Sequence, residues 1–171
     1  MHYFRELVES DLGVAASINN QSFPAVPEIS KRELRSLIEM SSFRAAAVDQ
    51  ENVLVGFALA LESGAPYQSE NYEFFERRGI KHLYVDRIVF LESSQNRGLG
   101  SAMYERIFKF AKDQKIFEVT CEVNLEPPNP GSLRFHRRMG FEEVAVQSTK
   151  QGKVIVQLLK ASLGEETKIA K

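Results

Sequence analysis

The segment from Val85 to Lys112 reads VDRIVFLESSQNRGLGSAMYERIFKFAK: an apolar run, a glycine-studded turn, then helical spacing. A second apolar run, IFEVTCEV, begins at Ile116. Two strands joined through an intervening helix lie parallel, because the crossover carries the chain back to the edge it left. Such a pair lies centrally in its sheet, and the hairpins on either side of it in the sequence make that sheet mixed. The 171 residues are enough for one domain with a substantial core.

HYFREL predicts a first strand, followed by a helix capped by Ser10 or Asp11 and stopped beyond Phe23 by Pro24 and Pro27. In ISKRELRSLIEMSS, Ile29, Leu34, Leu37 and Ile38 recur at helical spacing, and Ser30 with Glu33 fits a capping box. FRAAAVDQ and NVLVGFALALE predict an antiparallel hairpin. The stretch from Glu62 to Lys81 shows no regular period and carries Tyr67, Tyr72, Phe74 and Phe75. EPPNPG then separates IFEVTCEV from a short helix, SLRFHRRM, which Gly140 ends as a left-handed cap. FEEVAVQ and KVIVQLL predict a second hairpin around Gln151-Gly152. The expected fold class is α/β (α+β) with a mixed sheet, one domain over residues 1–163 and a frayed tail over 164–171. Ligands of such sheets favour the carboxyl ends of the parallel strands.

A formal net charge of -1 carries no signature of a nucleic-acid or membrane partner. No apolar run approaches bilayer-spanning length, and MHYFRELVES lacks the pattern of a signal peptide, so the expected location is cytoplasmic. Cys121 is the only cysteine, and His2, His82 and His136 show no metal-ligand spacing; no metal is expected.

The helix after the glycines buries a stripe of Leu99, Ala102, Met103, Ile107, Phe110 and Ala111. Its first turn departs from habit. First turns collect Asp or Glu, yet the first acid here is Glu105, and Arg97, Gly98 and Gly100 stand where the acids belong. Free amide hydrogens, partial positive charge and no side chain in the way suit a phosphate. A P-loop needs Lys after its glycines, and a dinucleotide fingerprint needs Gly where Met103 stands, so both fail. QNRGLG, Gln95 to Gly100, satisfies Q-x-x-G-x-G; a ligand-free glycine turn is the bland alternative.

At this motif the chain resembles the GNAT superfamily of N-acetyltransferases, whose acetyl-CoA pyrophosphate rests on the loop. A second motif strengthens the likeness. NPGSLRFHRRMGF, Asn129 to Phe141, matches the family's N-x-x-[AS]-x-x-[LF]-Y-x-x-x-G-F at Asn129, Ser132, Phe135, Gly140 and Phe141. The resemblance covers His82 to Phe141. It implies a mixed sheet whose parallel fourth and fifth strands splay, with a bulge in the fourth. It assigns the acetyl-CoA pyrophosphate to Gln95, Asn96, Arg97, Gly98, Leu99, Gly100 and Ser101. The backbone of Ile88, Val89 and Phe90 would pair with the pantetheine arm and polarise the thioester. Asn129 and Ser132 would also meet the cofactor, with Asn124 the alternative to Asn129 because the preceding loop is longer than usual.

By the same resemblance Asp86 stands where many relatives carry the base that takes the amine's proton. Adjacent strand residues face opposite sides, so Asp86 and Arg87 are not expected to neutralise each other. The other readings of Asp86 are an ion pair with an arginine elsewhere and the binding of a cationic substrate. His136 replaces the tyrosine that protonates the leaving thiolate, as in phosphinothricin-type acetyltransferases, and imidazole exchanges protons at neutral pH. Flanked by Arg134, Arg137 and Arg138, it reads equally well as a solvated helix residue. Arg138 or a neighbour could reach a coenzyme phosphate, although solvated surface charge is the commoner fate. Cys121 in an apolar strand reads as packing rather than as an acyl carrier.

The segment from Gly64 to Gly79 is placed to lid an acceptor pocket, its aromatics lining the pocket or filling core. The implied partners are acetyl-CoA and an unidentified primary amine, with a second copy of the chain as a homodimer partner. The implied reaction is direct attack in a ternary complex. Its rivals are a non-catalytic acyl-CoA-binding or sensing module on the same fold, and an unrelated anion-binding domain.

Overall fold

The computed structural model describes residues 1–164, so the expected tail lies outside the described residues beyond Gly164. In chain order the elements are β1 (Tyr3–Glu6), α1 (Leu12–Gln21), α2 (Lys31–Met40), β2 (Phe43–Val48), β3 (Leu54–Glu62) and α3 (Glu70–Arg77). There follow β4 (Leu83–Phe90), α4 (Leu99–Asp113), β5 (Glu118–Glu126), α5 (Pro130–Arg138), β6 (Glu142–Thr149) and β7 (Val154–Ser162). The strands form one 7-stranded sheet in the order β1-β2-β3-β4-β5-β7-β6. Both expected hairpins are present, and β4–β5 is the parallel pair.

Helix starts follow local chemistry. Ser30 accepts from the Glu33 amide, and the Glu33 carboxylate accepts from the Ser30 amide at 2.8 Å, which makes the expected capping box. Replacing Ser30 by Ala should cost about 1 kcal/mol, a fall of about 2–4 °C in Tm for a domain of this size, with turnover unchanged. Asp11 does not cap α1. Its carboxylate takes Arg5 at 2.6 Å and the Val8 amide at 2.9 Å, and a short 3-10 turn, Glu9–Asp11, leads into the helix instead.

Helix α3 forms where no period was legible. Ser69 caps it, Tyr72 and Phe75 bury one short face, and Arg78 just beyond it binds Glu118 of β5 at 2.6 Å. Tyr72 and Phe75 therefore fill core rather than line a pocket.

The sheet has a core on each face. Phe57, Leu59, Leu61, Tyr84 and Val89 pack towards α1, α2 and α3. Leu83, Val85, Val119, Cys121 and Val123 pack towards α4, with Ile88 and Phe90 beside them. Val85 and Ile88 thus share a face although they are three positions apart, which strict alternation forbids. The register explains it: Val85 pairs with Ala60 and Arg87 with Leu59, leaving Asp86 as the extra residue of a β-bulge. The bulge turns Asp86 and Arg87 to the same side, against the expectation of opposite faces, and the Arg87 guanidinium lies 2.9 Å from the Asp86 carboxylate.

Strands β4 and β5 pair only at Leu83–Val119 and Tyr84–Thr120. Beyond these residues β4 stays bound to β3 as far as Phe90–Gly56, while β5 follows β7. A wedge opens at the carboxyl ends of the two parallel strands.

Candidate active site

The wedge continues into a cleft of about 660 Å³. Of the residues singled out in the sequence, Asp86, Ile88, Val89, Phe90, Gln95, Asn129, Ser132 and His136 line it together. Asn124 does so too, and gives its amide N–H to the Pro24 carbonyl at 2.9 Å, tying β5 to the loop between α1 and α2. Asn129 caps α5, its carbonyl oxygen accepting from the Ser132 amide at 3.3 Å. Asn96, Arg97, Gly98, Leu99, Gly100 and Ser101 follow Gln95 and are not part of the cleft wall.

These loop residues make the start of α4. Gly98 is its N-cap, with φ of 76°, no side chain caps the helix, and no acid occupies its first turn. The leading amides of an α-helix have no intrahelical acceptor, and the peptide dipoles add partial positive charge there. A Cβ on Gly98 would meet no atom within 4 Å, so the helix start is uncrowded at that position. A Cβ on Gly100 would come within 3.0 Å of the Phe135 ring, so the second glycine lets α4 pack closely on α5. The residues present suit an anion.

On the α3 side of the wedge sits a charged cluster. Tyr67 donates to Asp86 at 2.6 Å, and burial followed by the Asp86 charge pushes the Tyr67 phenol far up. Glu122 projects from β5 on the same face as Asp86, since Cys121 and Val123 face α4. Tyr84 donates to the Glu122 carboxylate at 2.7 Å. Burial, then the charge of Asp86, pushes Glu122 up to about 7, against the opposing pull of Tyr84, Arg87 and Asn71. A carboxyl poised there exchanges protons at neutral pH.

On the α4 side, His136 is buried rather than solvated, in contrast to the second sequence reading. Its Nδ1 lies 2.8 Å from the Ser132 carbonyl, an acceptor only, so Nδ1 carries the proton. Nε2 then accepts from the Tyr104 hydroxyl at 2.8 Å. Burial pulls the imidazole below its ordinary value, which favours the neutral form. Cys121 lines the cleft beside Tyr104, but burial pushes its thiol well up and leaves little thiolate.

Sequence reasoning missed Glu122, Arg87 as a cleft residue, and Tyr104. Glu122 carried a signal of its own, a carboxylate within an apolar central strand. Among the described residues no group of His, Cys, Asp or Glu is arranged to hold a metal ion, and no helix is long and apolar enough to cross a membrane.

Solved structures share this architecture. Ard1 from Thermoplasma volcanium superposes with a TM-score of 0.77 at 15% identity, covering 96% of this chain and 99% of that one. The ribosomal-protein-S18-alanine N-acetyltransferase from Escherichia coli gives 0.74 at 14% identity, covering 100% and 99%. NAA60 from Arabidopsis thaliana in complex with acetyl-CoA gives 0.73 at 17%, covering 95% and 99%. No curated protein sequence matches significantly. The acetyltransferase (GNAT) family profile matches residues 13–141, and with the splayed β4–β5 pair, the Q-x-x-G-x-G loop and the Asn129–Phe141 motif in place, the chain belongs to that family of acyltransferases.

Proposed function

We propose that this chain is an N-acetyltransferase that moves an acetyl group from acetyl-CoA to a primary amine by direct attack in a ternary complex. The observation that carries this reading is the division of the wedge: an open helix start and the Tyr104–His136 pair on one face of the sheet, two carboxylates on the other. The acetyl donor approaches from the first face and the amine from the second, and they meet where β4 and β5 part.

In this reading the amides of Gly98 to Ser101, with Gln95, Asn96 and Arg97 around them, receive the pyrophosphate. The free β4 edge at Ile88, Val89 and Phe90 receives the pantetheine arm as an added strand would, and Asn129 and Ser132 meet it from α5. An amide of that edge polarises the thioester carbonyl. Glu122, together with Asp86, removes the proton that an ammonium must lose before its nitrogen can attack. As the new C–N bond forms, the C–S bond breaks, and the departing thiolate takes a proton from the Tyr104 hydroxyl, which His136 Nε2 holds in place and solvent then reprotonates. The raised Cys121 thiol argues against an acyl-cysteine route.

Release of CoA, followed with a thiol reagent across an amine panel, tests the reading. Acetyl-CoA at about 100 times its Kd should also stabilise the native state by about 2.7 kcal/mol, a Tm rise of roughly 5–10 °C. Stabilisation with no turnover on any amine would favour the non-catalytic module. No stabilisation would remove the cofactor assignment altogether.

A further inference from the structure

The acid cluster answers for the amine, but it leaves Arg87 unexplained. A buried guanidinium is costly unless its donors are used. Arg87 is 7% exposed and lines the cleft. Among the described residues its only hydrogen bond runs from Nη1 to its own neighbour, the Asp86 carbonyl, at 3.2 Å. The Asp86 carboxylate approaches the same end, and Asp86 Oδ2, though 2.9 Å away, forms no hydrogen bond there. Arg87 Nε is buried with no partner. The Nε side of a guanidinium is one of its two forks for a carboxylate. This side has no hydrogen-bond partner among the described residues, and it lies beside carboxylates suited to an ammonium.

We propose, resting on the N-acetyltransferase reading, that Arg87 anchors a carboxylate of the acceptor, and that the acceptor is a free α-amino acid or close analogue. Ammonium and carboxylate on one carbon match a site where Asp86, Glu122 and Arg87 share one face of the bulged strand and its neighbour. The rim agrees in charge and in shape. Lys150 and Lys153 line the cleft at the turn between β6 and β7. That turn is tied to α3 by the Lys150 amide on the Glu70 carboxylate at 3.0 Å, and Gln147 of β6 donates to Asn71 of α3 at 3.0 Å. With Asn124 holding the loop at Pro24, the acceptor end is bridged on two sides, an arrangement suited to a compact zwitterion rather than a continuing peptide.

The experiment compares initial rates for free L-amino acids, their α-amides and tripeptides beginning with the same residues, in the wild type and in Arg87→Gln. The wild type should prefer its best free amino acid over the matching amide by about 100-fold or more in kcat/KM, because the amide leaves the Nε side of a buried guanidinium without an acceptor. In Arg87→Gln the preference should collapse to within a few-fold, through KM for the acid, while acetyl-CoA still raises Tm. Amides or tripeptides used as well as free acids by the wild type would overturn the assignment and leave the acetyltransferase reading standing. A preference that survives in Arg87→Gln would place the carboxylate elsewhere and overturn it too. Absence of turnover on every amine, including spermidine, would instead strike the enzyme reading on which it rests. The wild-type comparison decides the substrate class even if the variant folds poorly.

Discussion

Glu122→Gln should lower kcat/KM by about 10²–10³-fold, the usual worth of a positioned general base, and should make the protein more stable at the same time. Glutamine keeps an acceptor for the Tyr84 hydroxyl, so the change removes charge and basicity with little change of shape. Because Glu122 is pushed up to about 7, the wild-type kcat/KM should rise with pH through that region as the carboxyl loses its proton. The variant should lose this limb. Stability follows the opposite course. A carboxyl raised in the native state favours folding fully below its unfolded value near 4.5, and this advantage fades as pH climbs to 7. A shift from 4.5 to about 7 corresponds to about 3 kcal/mol. Above pH 7 the wild type therefore carries a half-buried charge beside Asp86 that the variant lacks, and melting at pH 8 should favour the variant. An acid limb that persists unchanged in Glu122→Gln would assign the base elsewhere, with Asp86→Asn the next variant to measure.

Gly98→Val should weaken acetyl-CoA binding by about 100-fold or more, the loss expected when a pyrophosphate placed at that loop as proposed forgoes two charge-assisted hydrogen bonds at about 1.5–3 kcal/mol each. Two effects combine. The left-handed φ of 76° is strained for a β-branched residue by about 1–2 kcal/mol, and the new methyl groups crowd the start of α4. Gly79 separates them. It also has a positive φ, 65°, with nothing within 4 Å of a Cβ, and it lies at the far end of α3 from Ser69. Gly79→Val should lose similar stability while binding acetyl-CoA normally by calorimetry. Equal loss of binding in both variants would mean that strain alone, and not access to the helix start, controls affinity.

The crossover, both hairpins, the Ser30 capping box and the glycine-opened α4 were legible in sequence because each depends on chemistry within a few residues. Helix α3 was not: it spans only Glu70–Arg77, and burial of Tyr72 and Phe75 against the sheet stabilises it more than any local period does. A bulge in the fourth strand was implied by the family resemblance, but its position at Asp86 was not legible, for a related reason. It is a property of the pairing with β3, and one unpaired residue reversed the facing of Arg87 and brought it into the cleft. Glu122 and Tyr104 were readable as residues but not as neighbours, since their meaning comes from Asp86 and His136 across the wedge. Asn124 and Asn129 both reached the wall; their different partners, Pro24 and Ser132, could be known only from the folded chain.

The sheet order has a consequence for biosynthesis. Strand β7, the last of the described elements, is inserted between β5 and β6, pairing with both. During translation β5 therefore emerges with an open edge, and β6 has no neighbour until residues 154–162 clear the exit tunnel. Until β7 is inserted, the strand that bears Glu122 lacks hydrogen-bonding support along that edge, so the geometry of the cleft depends on residues far along the chain from the β4–β5 crossover.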